Sequence, residues 1–222
     1  MPRSLAPAHA AASNEPPQQF IHVKQARSAD RGLGMTATNE VEYSCRRIMK
    51  GMNISARVIT CSDAASRGER VDRSGPAVRA ILAAAGFDVD RIDVHPDHRD
   101  SIRDAIVRAI DADGIRLVVT TGGTGIAPTD VTPEATAEAG EKRIDGFGEL
   151  MRMTSLKVTR TAALSRAAAW TRHSALIVNL PGSVRGAEEN LAAVLDLIPH
   201  ALELLAGSPV ETHPDIPSAE NK

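Results

Sequence analysis

A glycine-rich stretch at residues 118–135, VVTTGGTGIAPTDVTPEA, has the residue types of a phosphate-binding loop. Its apolar run ends in Gly122, Gly123 and Gly125. Because glycine has no Cβ, the chain can turn tightly there and a phosphate can approach the backbone N–H groups. Asp130 follows, and a carboxylate beside a phosphate requires a cation such as Mg²⁺, which binds hard oxygen ligands from both. The stretch therefore predicts a metal–phosphate site. The alternative is a tight strand-to-helix turn in which Asp130 caps the helix.

A second carboxylate, Asp97, lies in the segment HPDHRD after an expected strand. Two acidic residues from neighbouring loops could share a Mg²⁺ ion or orient a nucleophile, whereas a single aspartate in such a loop is ordinarily a solvated turn residue. His95 and His98 resemble a metal pair, but a zinc site needs three protein ligands and no clear third one accompanies them. Structural or solvated roles are therefore favoured for the histidines, and both interpretations of Asp97 stay open.

Two further loops contain residues that can face a ligand. Ser74 and Gly75 begin a helix, so the free backbone amides at its start could bind a polar group. A serine N-cap on a surface loop is the equal alternative. The segment NLPGS at residues 179–183 follows another strand, and its Gly182 could admit a ligand closely.

Two familiar nucleotide-binding patterns do not match. Gly-Lys-Ser/Thr does not follow the glycines, so the loop is not a Walker A loop. The pair Gly123-x-Gly125 lacks the third glycine of a dinucleotide fingerprint and follows the third strand instead of the first. An NAD-binding dehydrogenase is therefore disfavoured.

Polar residues also interrupt the largely apolar segment TSLKVTRTAALSR, where Ser155, Ser165 and Arg166 lie. An arginine there could bind an acidic group through two hydrogen bonds, although spacing alone favours a solvated face. Trp170, the only tryptophan, is expected to pack in the core.

The hydrophobic pattern places these loops at the ends of strands that alternate with helices. Strands are expected at residues 56–61, 88–96, 115–121 and 175–180. Helices are expected at residues 77–87, 100–113, 130–141, 147–158 and 186–207, the last of them kinked or divided at Pro199. This alternation predicts a parallel sheet covered by helices on both faces, in which ligands bind beyond the carboxyl ends of the strands.

The composition indicates one globular domain with tails. The 222 residues are 42% hydrophobic but only 2% aromatic, so the core must be built from Ala, Val, Leu and Ile. A net charge of -2 gives no basic excess that would favour nucleic acid, and no apolar run approaches the roughly 18 residues of a membrane span. Cys45 and Cys61 form neither a disulfide framework nor a CxxC site, which fits a reducing cytoplasm. Residues 1–53 are expected to be a disordered extension, residues 54–207 the folded domain and residues 208–222 an irregular tail.

Together these loops resemble a known family. Five segments follow one another along the chain in this order: SDAASRGERVDRSGP, TTGGTGIAPTDVTPEA, GFGELMRMTSLK, ALSR and ALIVNLPGS. Their types and order are similar to those of the molybdopterin adenylyltransferase family of the Mog/MoaB type, which includes the G domain of gephyrin. The resemblance implies a three-layer α/β/α fold with a mainly parallel sheet, assembled as a homotrimer. It implies transfer of AMP from Mg-ATP to the terminal phosphate of molybdopterin, with release of pyrophosphate. The expected ligands are Mg²⁺, ATP and molybdopterin, and the expected protein partner is the downstream molybdenum-inserting protein. No nucleic-acid or membrane partner is expected.

The resemblance also assigns roles to residues. Asp97 and Asp130 match two catalytic aspartates, expected to hold the Mg²⁺ ion, and Ser155 and Ser165 match positions that contact the pterin. Arg166 is added to the pterin side from its charge and adjacency. The residues expected to face the nucleotide are Gly122, Gly123, Thr124, Gly125, Ser74, Gly75, Asn179, Pro181 and Gly182. Because Asp130 and VTPEA are retained, an active enzyme is preferred over the alternative, a non-catalytic MoaB-like protein that holds molybdopterin as an assembly or scaffold protein.

Overall fold

The structure, a computed structural model, describes residues 53–207. Its strands are β1 (Ser55–Cys61), β2 (Asp88–His95), β3 (Leu117–Thr121), β4 (Lys142–Ile144), β5 (Ala169–Arg172) and β6 (Ala175–Leu180). Its helices are α1 (Asp63–Ser66), α2 (Ser74–Ala85), α3 (Arg99–Asp111), α4 (Thr132–Ala139), α5 (Asp145–Leu156), α6 (Val184–Ala192) and α7 (Leu197–Leu205), with a 3-10 helix at Arg160–Leu164. The expected extension and tail lie outside the described residues, except for Asn53.

The strands form one six-stranded sheet in the order β2-β1-β3-β6-β5-β4. The first four are parallel, whereas β5 and β4 run antiparallel to their neighbours. The register pairs Cys61 with His95, Thr60 with Thr121, and Thr121 with Leu180. The carboxyl ends of the four parallel strands therefore share one edge, where the loops that follow them meet.

Apolar side chains from the central strands alternate between the two faces of the sheet. On β1, Val58 belongs to one buried cluster and Ile59 to the other, and on β3 Val119 and Val118 alternate in the same way. Helices α2, α5, α6 and α7 pack on the first face, and α3 and α4 pack on the second. Burial on both sides explains the continuous apolar runs of these strands, and the predicted three-layer α/β/α fold is confirmed.

Two features differ from the sequence prediction. Strands β4 and β5 are not predicted, because segments of 3 and 4 residues are too short to produce a recognisable period. The expected single helix at residues 186–207 is two helices, α6 and α7, and the break lies at residues 193–196 instead of at Pro199. Pro199 lies in the first turn of α7, where proline is tolerated because N–H groups at a helix start have no intrahelical partner.

Within residues 53–207, no helix has both the length and the apolar character that crossing a membrane requires.

Candidate active site

Two cavities meet at the carboxyl edge of the parallel strands. The α5 cavity, about 580 Å³, lies among α5, the 3-10 helix and the start of α6. The α2 cavity, about 530 Å³, lies between the loop after β1 and the start of α2. Gly123, Gly182 and Ser183 line both cavities. The two cavities are therefore adjacent across the glycine loop, the segment at residues 122–130.

The glycine loop needs its glycines for its own conformation and packing. Gly122 and Gly123 have φ values of 103° and 62°, which residues with a Cβ rarely adopt. A Cβ on Gly122 would overlap a backbone carbonyl oxygen of β1, and a Cβ on Gly123 would overlap Thr132 Oγ1. A Cβ on Gly125 would lie 2.7 Å from Asp130 Oδ2. Close approach of protein atoms thus accounts for part of the need for glycine in this loop.

Asp130 lies on the wall of the α5 cavity. Its Oδ2 accepts a hydrogen bond from Ala127 N at 2.7 Å. Helix α4 begins at Thr132 with Val131 in the N-cap position and no side-chain cap. The alternative in which Asp130 caps the helix is therefore wrong, since its carboxylate closes a turn within the loop and borders the cavity.

Asp97 is tied to the loop after β1 by a reciprocal pair of hydrogen bonds. Asp63 N donates to Asp97 Oδ2 at 2.9 Å, and Asp97 N donates to Asp63 Oδ1 at 3.0 Å. The other oxygen, Asp97 Oδ1, is buried without a hydrogen-bond partner, 3.3 Å from where a Cβ on Gly123 would lie. Partial burial, and then the negative charges of Asp63 and Asp130, raise the pKa of Asp97. The two predicted catalytic carboxylates therefore repel each other at the glycine loop.

The two carboxylates fit a hard cation. Asp97 Oδ1 lacks a hydrogen-bond partner, and a Mg²⁺ ion would favour the ionised form of Asp97. Across residues 53–207 no group of three or more His, Cys, Asp or Glu side chains is arranged to hold a metal. A Mg²⁺ ion would therefore take its remaining ligands from phosphate oxygens and water, as is usual for this ion. His95 has a protein partner, since its Nδ1 is 3.0 Å from Ser101 Oγ.

Ser155 and Ser165 lie on the same wall of the α5 cavity. Ser155 Oγ accepts a hydrogen bond from Asn190 Nδ2 at 2.8 Å, and Ser165 Oγ accepts one from Ala167 N at 3.3 Å. Each hydroxyl keeps its own proton, so each can still donate to an oxygen of a ligand. Asn190 also lines the cavity and is missed by sequence reasoning, because an asparagine inside a helix carries no signal of its distant partner.

Ser74 and Gly75 are expected to offer free groups to a ligand, but both are hydrogen-bonded to Asp72. Its Oδ1 accepts hydrogen bonds from Gly75 N at 3.0 Å and Ser74 Oγ at 3.2 Å, and its Oδ2 accepts one from Thr60 Oγ1 at 2.8 Å. The Gly75 amide is thus already occupied, and Arg73, not Ser74, is in the N-cap position. Ser74 lines the α2 cavity, whereas Gly75 does not. An aspartate just before a helix is a start signal that could have revealed this arrangement.

Asn179 has a structural role in the sheet. It is fully buried, and its Nδ2 donates to Thr120 Oγ1 at 2.9 Å and to Thr136 Oγ1 at 3.0 Å. The side chain joins β6 to β3 and α4, and it lines neither cavity. The expected contact of Asn179 with the nucleotide therefore has no support in the geometry. Of the other residues expected to face the nucleotide, Gly123 and Gly182 line both cavities and Gly122 lines only the α2 cavity, whereas Thr124, Gly125 and Pro181 line only the α5 cavity.

Arg166 is bonded to protein atoms and lies outside the α5 cavity. Its guanidinium donates to the backbone oxygens of Gly125 and Asp130 and to the carboxylate of Glu134. It lines a third cavity of about 410 Å³, together with the buried Trp170. The expected contact between Arg166 and molybdopterin therefore loses its geometric basis, because Arg166 does not line the α5 cavity and each of its three guanidinium nitrogens already donates to a protein oxygen.

A comparison with protein families matches residues 57–200 to a family described as a probable molybdopterin binding domain. A molybdopterin adenylyltransferase of Helicobacter pylori is 43% identical over 155 residues, which are 68% of this chain and 87% of that protein.

Solved structures agree with the family match. The molybdopterin biosynthesis enzyme MoaB of Thermus thermophilus is 44% identical, with a TM-score of 0.65 over 70% of this chain and 98% of that one. The molybdopterin biosynthesis Mog protein of Mycobacterium ulcerans is 34% identical, with a TM-score of 0.66 over 71% of this chain and 99% of that one. The chain therefore belongs to the molybdopterin-binding family that contains these adenylyltransferase, Mog and MoaB proteins.

Proposed function

We propose that this protein transfers AMP from ATP to the terminal phosphate of molybdopterin and releases pyrophosphate. The observation that carries the proposal is the meeting of two cavities at Gly123 and Gly182, with Asp130 on the wall and Asp97 Oδ1 beside the same loop. Transfer between two phosphorylated substrates requires two binding spaces whose phosphate ends converge. Relatives named molybdopterin adenylyltransferase, 36–43% identical to this chain, give the proposal its substrates.

We assign ATP to the α2 cavity and molybdopterin to the α5 cavity. The α5 cavity offers hydroxyl donors from Ser155 and Ser165 and cationic side chains from Arg152 and Arg185, which suit an anionic pterin phosphate. The α2 cavity is bordered by the glycine loop and by Ser74. Backbone N–H groups of the glycine loop, shared by both spaces, can donate to phosphate oxygens where the substrates meet.

The chemistry needs charge control more than an activated side chain. A terminal phosphate oxygen of molybdopterin attacks the α-phosphorus of ATP, the bond from that phosphorus to the β-phosphate oxygen breaks, and pyrophosphate leaves. Asp97 and Asp130 would hold the Mg²⁺ ion that, when bound, neutralises phosphate charge. The protein itself would speed the transfer by aligning the molybdopterin phosphate with the α-phosphate of ATP and by excluding other orientations of the two substrates.

The test is an assay for pyrophosphate with purified protein, ATP, Mg²⁺ and molybdopterin. We expect pyrophosphate to form only when both substrates are present, in amounts equal to adenylylated molybdopterin. ATP alone and molybdopterin alone are the controls. Tight binding of molybdopterin without pyrophosphate would reject the proposal in favour of a non-catalytic binding or scaffold protein.

The proposal includes a cytoplasmic homotrimer that passes its product to the molybdenum-inserting protein. Support for assembly comes from apolar side chains exposed on α5, among them Leu150, Met153 and Leu156, because exposed apolar patches mark contact surfaces. Sedimentation at micromolar concentration tests the trimer, and a monomer would reject it.

Asp97→Asn should slow turnover by about 10²-fold and yet stabilise the folded chain at pH 7. The asparagine keeps an oxygen acceptor for Asp63 N but removes the charge. Since the pKa of Asp97 is raised above its ordinary value of 3.8, the folded chain binds this proton more tightly than the unfolded chain does. Ionised Asp97 therefore lowers the free energy of unfolding at pH values above its folded pKa.

The measurement is denaturant unfolding of both chains without Mg²⁺ across a pH series. The gain from Asp97→Asn should shrink as the pH falls through the folded pKa of Asp97 and should be lost below 3.8, where the wild-type carboxyl is protonated in both states. Asp88→Asn, at an exposed aspartate that starts β2, is the control and should change neither stability nor turnover. A lower stability of Asp97→Asn at pH 7 would contradict the electrostatic explanation.

A further inference from the structure

One guanidinium binds both ends of an exposed loop that carries Asp130. Arg166 Nε donates to Gly125 O at 2.6 Å, and Arg166 Nη2 donates to Asp130 O at 2.6 Å. The residues between these two contacts, 126–129, are all exposed. A main-chain hydrogen bond also joins the two segments, because Arg166 N donates to Thr124 O at 2.8 Å, just before the loop. Without Arg166, loop 125–130 would be held mainly by its own internal turn.

The internal turn fixes the Asp130 carboxylate only relative to the loop. Ala127 N donates to Asp130 Oδ2 at 2.7 Å, and Asp130 N donates to Ala127 O at 2.9 Å. Both bonds stay within the loop, so they do not set where the loop lies over the cavities. The bonds from Arg166 reach it from a distant part of the chain and do set that position.

The segment that carries Arg166 is itself anchored to α5. Arg152 Nη1 donates to Ser165 O at 3.3 Å and to Ala167 O at 3.0 Å. Arg166 also forms an ion pair with Glu134 on α4. The backbone beside Arg166 is thus bonded to α5 and its guanidinium to α4, two contacts that do not involve loop 125–130.

From these contacts we infer that Arg166 is a positioning residue that holds Asp130 at the junction of the two cavities. Three acceptors surround one planar group, and only a guanidinium presents several donors in a fixed fork. A lysine retains the charge but is a point donor, so it cannot bridge Gly125 O, Asp130 O and Glu134 together. The role of Asp130 in phosphate transfer rests on the proposed function, whereas the hold on the loop does not.

The test compares Arg166→Met and Arg166→Lys with Arg79→Met, a change at an exposed arginine on α2. In the pyrophosphate assay we expect both Arg166 variants to lower kcat by roughly 10–100-fold, since a displacement of about 1 Å can cost 10²-fold. The KM for molybdopterin should change by less than about threefold, because Arg166 does not line its cavity. Arg79→Met should match the wild type.

Amide hydrogen exchange provides a second readout that does not depend on activity. In Arg166→Met, exchange should become faster at Thr132 and at residue 166, whose amides bind Gly123 O and Thr124 O at the base of the loop, while exchange in the centre of β3 should stay unchanged. If the wild type releases no pyrophosphate, the proposed function fails but this comparison still decides whether Arg166 holds the loop. Unchanged exchange at these two amides would overturn the inference.

The kinetic results can also overturn it. A raised KM for molybdopterin with an unchanged kcat, restored by Arg166→Lys, would make Arg166 a substrate-binding charge. Equal losses of stability and activity, with faster exchange throughout the sheet, would make it a general structural residue.

Discussion

Asp130→Ala should lower the rate of pyrophosphate release by at least about 10²-fold, the usual loss for a key electrostatic group in a reaction centre. The carboxylate lies on the wall of the α5 cavity and next to Gly125. Removing it takes away a negative oxygen ligand where the phosphates and Mg²⁺ are proposed to meet. Fold stability should change little, because Asp130 is partly exposed and closes only a local turn with Ala127.

Asp130→Asn separates charge from structure. The amide oxygen can still accept the hydrogen bond from Ala127 N, so the turn is kept while the charge is lost. We expect Asp130→Asn to be nearly as inactive as Asp130→Ala, with molybdopterin binding by calorimetry close to that of the wild type. Turnover of the asparagine variant near the wild-type level would mean that Asp130 serves only the turn.

The sequence predicts the elements in which apolar residues recur at a regular spacing or form a continuous buried run. The runs at residues 56–61, 115–121 and 175–180 lie in the centre of the sheet, buried on both faces, so their composition reports their position directly. The glycine loop is also predictable, because Gly122 and Gly123 adopt positive φ values that few other residues tolerate. The loops that follow these strands then had to meet at one edge. The family predicted from the loop motifs is confirmed by the comparisons.

Side-chain partners from distant segments are what the sequence does not reveal. Asn179 lies near the end of an expected strand and Gly75 at the start of a helix, yet Asn179 is bonded to Thr136 and Gly75 to Asp72. Arg166 has the charge of a ligand-binding residue, but its acceptors are mainly backbone oxygens, which every residue possesses. No residue type marks such an acceptor, so the contact emerges only when the chain is folded.

Gly123→Ala should remove activity and cost more stability than the same change at Gly114. Both glycines have similar φ values, 62° and 68°, so the backbone strain of a Cβ, roughly 1–2 kcal/mol, is common to both. A Cβ on Gly114 has no atom within 4 Å, whereas one on Gly123 overlaps Thr132 Oγ1. Overpacking of this kind adds about 1–3 kcal/mol. Urea unfolding of the two variants measures the difference.

A second substitution distinguishes packing from ligand approach at Gly123. Thr132 is fully buried, and Thr132→Ala removes the overlapping Oγ1, which also faces the buried Cys61 thiol, so the single variant Thr132→Ala measures the cost of losing that contact. Adding it to Gly123→Ala should bring stability back to about the level of Gly114→Ala, as a favourable coupling in a double-mutant cycle. Activity should stay low, because the new Cβ still lies 3.3 Å from Asp97 Oδ1, one of the proposed Mg²⁺ ligands. Recovery of activity together with stability would mean that Gly123 serves only the packing of the loop and that the phosphates approach elsewhere.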